Sequence, residues 1–490
     1  MQLVRSRTGT TRGGGGSSPR ANTAWALALT SVAFFMTALD ALVVITALPA
    51  IHAGLGGSVT TLEWTVNAYT LTLAAGIITA AALGDRLGRR RIYVIGLLAF
   101  TVASAACALA PSAGLLIAAR AVQGLGAAMI TPLSLTILAS VFPPERRAST
   151  VGIWGAVGGL AIAGGPLIGG AVVQGLDWHW IFWLNVPVGL VAAALSTVKL
   201  PESYGPRARL DLPGVVIAAA GSVSLAWGLV RSASIGWSSA QVVGALSLSA
   251  ALFVAFALWE RRASEPMLPL RLLRVRAFAA ANATSFAMMA SITSAAFLMS
   301  QYFQLGLGHS PLSTGLRFLP WTLTPLLIAP AAGSLADRIG PRPLMALGLA
   351  MQAAGLAWIA FTATDAAGYG EFVAPLVIAG VGISMAIPTV PAAALNAVAQ
   401  ADVGKASGVQ NTLQRFGAVF GVAIVVAVFS ANGQLSSPAG VVAGFRPALV
   451  AAAGFSLAGA LTALATAGRR RTQPAASQPQ YTRILETAGR

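Results

Sequence analysis

The sequence predicts an all-α protein that crosses a bilayer fourteen times. Three observations carry this. Fourteen apolar stretches fill most of the 490-residue chain, each near the roughly 20 residues that a membrane span needs. Only 9% of residues are charged and 56% are hydrophobic, against roughly 25% charged in a soluble chain; the mean hydropathy is +0.76. The stretches are continuously apolar rather than alternating, which favours helices over barrel strands.

The elements follow in order. Residues 1–22 form a flexible tail with a Gly/Ser run, Gly13–Ser18. The first stretch, 24–50, is too long for a signal-peptide core, holds Asp40, and lacks a convincing cleavage site, so it is expected to be retained. Stretches at 61–83 and 92–110 flank a basic loop. The stretch at 114–141 carries Arg120 near its start, 149–174 is rich in glycine, and 180–198 completes a first group of six. A pair at 212–230 and 241–259 comes next. A second six follows at 276–304, 311–335, 342–361, 371–398, 406–430 and 446–467. The domains so predicted are an N-terminal half (23–200), a linker with two inserted helices (201–275), a C-terminal half (276–467) and a polar tail (468–490).

The formal charge of +17 suggests nucleic acid as a partner, but its distribution argues against that. With the N-terminus placed in the cytoplasm, most arginines and lysines fall in alternate, cytoplasmic segments. Arg120, Arg231, Arg317, Arg415 and Arg446 fall elsewhere. This is the positive-inside pattern, and it places both termini of a multi-pass protein in the cytoplasm. Cys107 is the only cysteine, so an internal disulfide is excluded.

An internal repeat supplies the architecture. The segment Leu83-Gly-Asp85-Arg86-Leu-Gly88-Arg89-Arg90 has a counterpart in Leu335-Ala-Asp337-Arg338-Ile-Gly340-Pro-Arg342. Each copy follows the second helix of a six. Two homologous halves of this kind are the signature of secondary transporters.

The Asp85-Arg86-x-Gly88-Arg89-Arg90 loop resembles the signature loop of the major facilitator superfamily. Leu39-Asp40 through Pro49, Arg120 through Gln123-Gly124 and Gly165-Pro166 through Gly169-Gly170 resemble motifs of its fourteen-helix drug:proton antiporters. Trp180 through Gly189 and Leu210 through Gly214 resemble the same branch. Two departures stand out: some relatives have a carboxylate where Asn67 stands, and Glu63 is an acid where an amide is more usual. The resemblance implies export of amphipathic drugs, antibiotics or toxic organic compounds in exchange for protons, by alternating access.

Several residues bear on that chemistry. A carboxyl inside a span is rare and costly. Asp40 is therefore either a proton-coupling site or a structural acid paired to a neighbouring helix. Arg120 cannot lose its charge; it is a relay partner of that acid or a packing clamp, with Gln123 facing the same way. Glu63 is either a solvated acid at a helix start or a second proton acceptor. Polar candidates for the substrate pathway are Asn67, Tyr69, Gln123, Gln301, Gln304 and Asn411, with Trp321 among the added apolar surface. Gly165, Pro166, Gly169 and Gly170 either let a bent helix seal one side of the pathway or serve packing alone. Asp85, Arg86, Gly88 and Arg89, with Asp337 and Arg338, either make contacts across the halves on the cytoplasmic side or only set topology.

No metal-ligand spacing, nucleophile constellation or phosphate-binding Gly-Lys-Ser/Thr loop is present. The expectation is a non-enzymatic, inner-membrane transporter that needs neither cofactor nor ATP, runs on proton-motive force and works as a monomer. Its partners are protons, a small-molecule substrate and the bilayer. A neutral drug, a monocation and a zwitterion all remain open as substrates. The rivals are a proton-coupled uptake symporter, a polytopic membrane enzyme and a transporter-like receptor.

Overall fold

The structure is a computed structural model that describes residues 19–56, 59–204, 212–262, 270–398 and 403–466. The expected Gly13–Ser18 run and the tail from 468 lie outside them. Among the described residues there is no strand. The first half comprises α1 (Pro19–Leu55), α2 (Val59–Leu87), α3 (Arg89–Ala108), α4 (Ala113–Val141), α5 (Pro144–Gly175) and the broken pair α6 (Trp180–Trp183) and α7 (Asn185–Lys199). Then come α8 (Leu212–Ile235), α9 (Ala240–Arg262) and a short α10 (Leu270–Leu273). The second half comprises α11 (Arg276–Gln301), extended by a π turn at Tyr302–Gly306, and the broken pair α12 (Pro311–Thr322) and α13 (Thr324–Ile339). It ends with α14 (Pro341–Thr362), α15 (Gly370–Asn396), α16 (Val403–Asn432) and α17 (Pro438–Ala463).

Helix starts follow local chemistry. Ser112, Ser310 and Ser437 precede α4, α12 and α17, and each hydroxyl accepts from a first-turn amide. Proline opens α12 and α17, where its missing N–H costs nothing.

The halves share one packing plan. In the first, α1 lies on α5, and α3 lies on α4 and α7. In the second, α11 lies on α16, and α14 lies on α15 and α17. The repeated loops match in backbone as well: Gly88 (φ 108°) and Gly340 (φ 89°) both take the left-handed region that glycine favours. Between the halves, α8 pairs with α9 and also touches α2 and α16.

Among the described residues, eleven helical runs are long and apolar enough to cross a membrane, or twelve if the bend within α2 is counted as one span. The expected count of fourteen is therefore not reached; α5 and α8, helical over the two remaining positions, run partly through undescribed side chains. The surface is apolar: Val102, Leu327, Phe361 and Val198 are 67–75% exposed, as lipid-facing side chains are.

The two halves join along α2–α16 and α5–α12. Among the described residues, three hydrogen bonds cross between them: Ser300 Oγ donates to the Ile45 carbonyl (3.0 Å), Gln304 Nε2 to the Thr46 carbonyl (2.9 Å), and the Leu312 amide to Gln174 Oε1 (3.2 Å). All three lie where α1, α5 and α11 end and α12 begins, at the end of the bundle far from the termini.

Candidate functional site

Asp40 on α1 and Arg120 on α4 are brought together at the centre of the first half. Arg120 Nη1 lies 2.5 Å from Asp40 Oδ2 and 2.6 Å from Gln123 Oε1, while its Nε donates to the Thr65 carbonyl on α2 at 3.1 Å. Its guanidinium also lies 4.3 Å from the centre of the Tyr69 ring, a cation–π arrangement. Gln123, on the same helix face as Arg120, donates to Asp40 Oδ1 (2.9 Å) and Ser104 Oγ (2.7 Å). Asn185, the first residue of α7, donates to Asp40 Oδ1 at 2.9 Å. Asp40 is 3% and Arg120 1% exposed. A buried pair survives only with good geometry and added hydrogen bonds, and this one has both.

Glu63 is fully buried rather than solvated, which corrects the bland reading of a helix-start acid. One oxygen accepts from Asn67 Nδ2 at 3.2 Å, and Oε2 is buried without a hydrogen-bond partner. Glu63 is not among the partners of Asp40 or Arg120.

A second feature lies between the halves. A cavity is lined by Leu42, Ile45 and Thr46 of α1, Pro166 of α5 and Ile292 and Ala296 of α11. Phe318, Trp321, Thr322 and Pro325 of α12 and α13, with Ile383 and Ile387 of α15, close it. Trp321 was expected along the pathway; the six polar candidates do not line this cavity. Their placement has a physical cause: polar side chains in lipid satisfy one another or the backbone. Asn67 is held by Glu63, Gln123 belongs to the Asp40 cluster, and the Tyr69 hydroxyl donates to the Thr37 carbonyl. Gln304 fastens the halves together, Asn411 donates to its own helix at Ser407, and Gln301 is buried with no partner for its amide.

The glycine motif of α5 divides in two. A side chain at Gly165 or Gly169 would strike Leu42 or Val43 of α1, within the same half. Their repeat counterparts, Gly417 and Gly421 of α16, lie likewise against Phe286 and Ala290 of α11, so these four serve close packing. Gly170 instead meets the Pro311 carbonyl, and the Pro166 carbonyl meets Gly315, so these two do join the halves.

At the end near the termini, Asp85 pairs with Arg89 at 2.7 Å within its own half, and Arg86 and Arg338 are exposed. The expected contact across the halves is not made by Asp85 or Arg86 here, because the halves close at the opposite end. Gly88 faces the carboxylate of Glu202, which also accepts from the Arg90 amide at 2.9 Å. Asp337 lies in α13, and its side chain is outside the described residues.

Sequence reasoning missed Asn185, Ser104 and Thr65 as partners of the charged pair. Asn185 lies in a quoted motif, but nothing in its spacing points to Asp40. It also passed over Arg415, half-buried on α16, whose Nε has no hydrogen-bond partner; its place off the topological charge pattern was the available signal.

A family model described as Major Facilitator Superfamily matches residues 30–270 and 279–485. The chain is 34% identical over 470 residues to the cephamycin export protein CmcT of Amycolatopsis lactamdurans, covering 94% of this chain and 96% of that one. It is 34% identical over 398 residues to the tetracenomycin C resistance and export protein of Streptomyces glaucescens (81% and 74% covered). A third relative is the multidrug resistance protein Stp of Mycobacterium tuberculosis, 34% identical over 407 residues (83% and 75% covered). Among solved structures, the peptide transporter POT in complex with sulfate superposes with a TM-score of 0.65 at 18% identity, covering 91% of this chain and 94% of that one. The inward-open xylose transporter XylE from E. coli gives 0.64 at 13% identity, covering 91% and 97%. At these identities the two structures speak for the fold alone. With the family model spanning nearly the whole chain and relatives at 34% identity, the chain belongs to the Major Facilitator Superfamily and is a membrane transporter, not an enzyme.

Proposed function

We propose that this transporter exports amphipathic drugs, antibiotics or toxic organic compounds in exchange for protons, by alternating access, from the inner membrane with both termini cytoplasmic. The observation that carries the coupling is the fully buried Asp40, held by Arg120, Gln123 and Asn185 in the middle of the first half. A carboxyl buried inside a span is what proton coupling requires. The apolar lining between the halves matches the apolar body of an amphipathic guest in character. The printed names of the relatives, which speak of export and resistance, support the outward direction.

In this reading the far end of the bundle faces outward, and the conformation is closed to the outside. The transporter works as a monomer, without cofactor or ATP. Each inward proton charge supplies about 2.3 kcal/mol per 100 mV of membrane potential, before any pH gradient. The test is drug accumulation in an efflux-deficient host carrying the gene. A protonophore should raise internal drug to the level of the empty host. If ATP depletion at a constant proton gradient does so instead, antiport is wrong.

A further inference from the structure

Arg415 lies well inside α16. Asn411, Arg415 and Val419 follow at four-residue intervals and so share one helix face. Val419 packs against Leu71 of α2. The glycines on another face, Gly417 and Gly421, lie against α11. Arg415 therefore looks from the second half toward the first.

Nothing in the described chain neutralises it. Its Nε is buried and lacks a hydrogen-bond partner, and it enters no ion pair among the described residues. The buried carboxylate at the centre of the first half, Asp40, is already taken by Arg120, Gln123 and Asn185. The contrast with Arg120 is direct: one arginine in the membrane is bound on every side, the other is not. Asn411 does not help, since its amide is used within α16. An uncompensated cation at this depth is costly to keep, and a guanidinium fork matches a carboxylate through paired hydrogen bonds.

We infer that Arg415 binds the oxyanion of an amphipathic monoanion, such as a carboxylate, so that the exported compounds include organic acids. The inference rests on the export reading above. The acid group meets Arg415 at the seam between the halves, where Val419 and Leu71 supply apolar surface for the body of the guest. An anionic lipid headgroup offers the same oxyanion, and the test separates the two sources.

The test uses the full chain in phosphatidylcholine vesicles, with radiolabelled naphthylacetate and its neutral amide as probes. The unmodified chain should bind the acid about tenfold or more tightly than the amide, the scale of a hydrogen-bonded charge. Arg415→Gln should bring the acid down to the level of the amide and leave amide binding unchanged, while Arg415→Lys should keep part of the preference. No preference in the unmodified chain, or an equal fall for both probes in Arg415→Gln, overturns the inference. Loss of the preference when phosphatidylglycerol is added would assign Arg415 to a headgroup and overturn it as well. Antibiotic uptake into everted vesicles reads the export proposal separately. Acid preference without uptake sinks export and leaves an anion site; uptake without acid preference sinks the role of Arg415 alone.

Discussion

The side-chain amide of Asn185, at the first turn of α7, donates to Asp40 Oδ1 at 2.9 Å although 145 residues separate them. The bond ties the last helix of the first half to the acid on its first. Replacing Asn185 with leucine keeps the branched outline of the side chain and removes the donor. The loss of a hydrogen bond to a charged group is worth about 1.5–3 kcal/mol. Transport by Asn185→Leu should fall roughly tenfold or more at matched membrane expression, measured as drug uptake into everted vesicles. Unchanged uptake would show that Asn185 is a packing residue.

Asp40→Asn should abolish proton-coupled export while the protein still inserts and folds, because amide and carboxyl are nearly isosteric and only the latter titrates. The readout is substrate-induced proton movement in vesicles. Retained resistance with retained proton movement would refute the coupling role.

Arg120→Lys preserves charge but not geometry. The guanidinium reaches Asp40 and Gln123 through Nη1 and the Thr65 carbonyl through Nε, a span that one ammonium does not cover. Loss of one such bond costs about 1.5–3 kcal/mol, so transport should drop about tenfold or more. Full activity in the lysine variant would show that charge alone matters there.

Gly170→Val should disturb the closure between the halves, because its side chain would strike the Pro311 carbonyl. Overpacking costs about 1–3 kcal/mol and falls on the conformation seen here, so the opposite state gains. Accessibility labelling of a cysteine placed beside Gln304 should rise. The matching change at Gly165 meets Leu42 of the same half and should lower stability without this rise; equal labelling in both variants contradicts the division of labour.

Asp85→Asn should impair transport more than Asp337→Asn. The first loop has Arg89, Arg90 and Arg91 behind its Asp-Arg pair, where the second has Pro341 and Pro343 in place of two of these. Asp85 already holds Arg89 at 2.7 Å. Transport at matched expression decides; equal defects would mean that the basic residues of the first loop serve topology alone.

Much of the fold was legible because lipid imposes simple demands. Continuous apolar runs must be helices, and the duplicated loop exposed the two halves before any packing was known. The Asp40–Arg120 pair was legible for a related reason: charge is rare in such helices, and the few charged residues in the spans stand out. The cavity was not legible. Its lining, Leu42, Ile292 and Ile387 among others, is of the same residue types as the lipid-facing surface, and only tertiary packing separates the two. The polar residues chosen for the pathway mostly have protein partners in this conformation, as Asn67 has Glu63 and Asn411 has Ser407, because a polar side chain in lipid finds a partner nearby. At α5 and α8 the structure is helical over the two remaining expected spans, but several of their side chains lie outside the described residues.

The closure at the far end joins backbone to glycine at Gly170 and Gly315, and its three crossing hydrogen bonds involve no ionised side chain. Contacts of that kind have little dependence on ionic strength. At about 0.15 M salt, exposed charges are screened beyond about 8 Å, so a clasp of surface ion pairs would loosen as the medium grew saltier. This one should hold equally in fresh water and in brine, leaving what is bound inside, rather than what is dissolved outside, to decide when it opens.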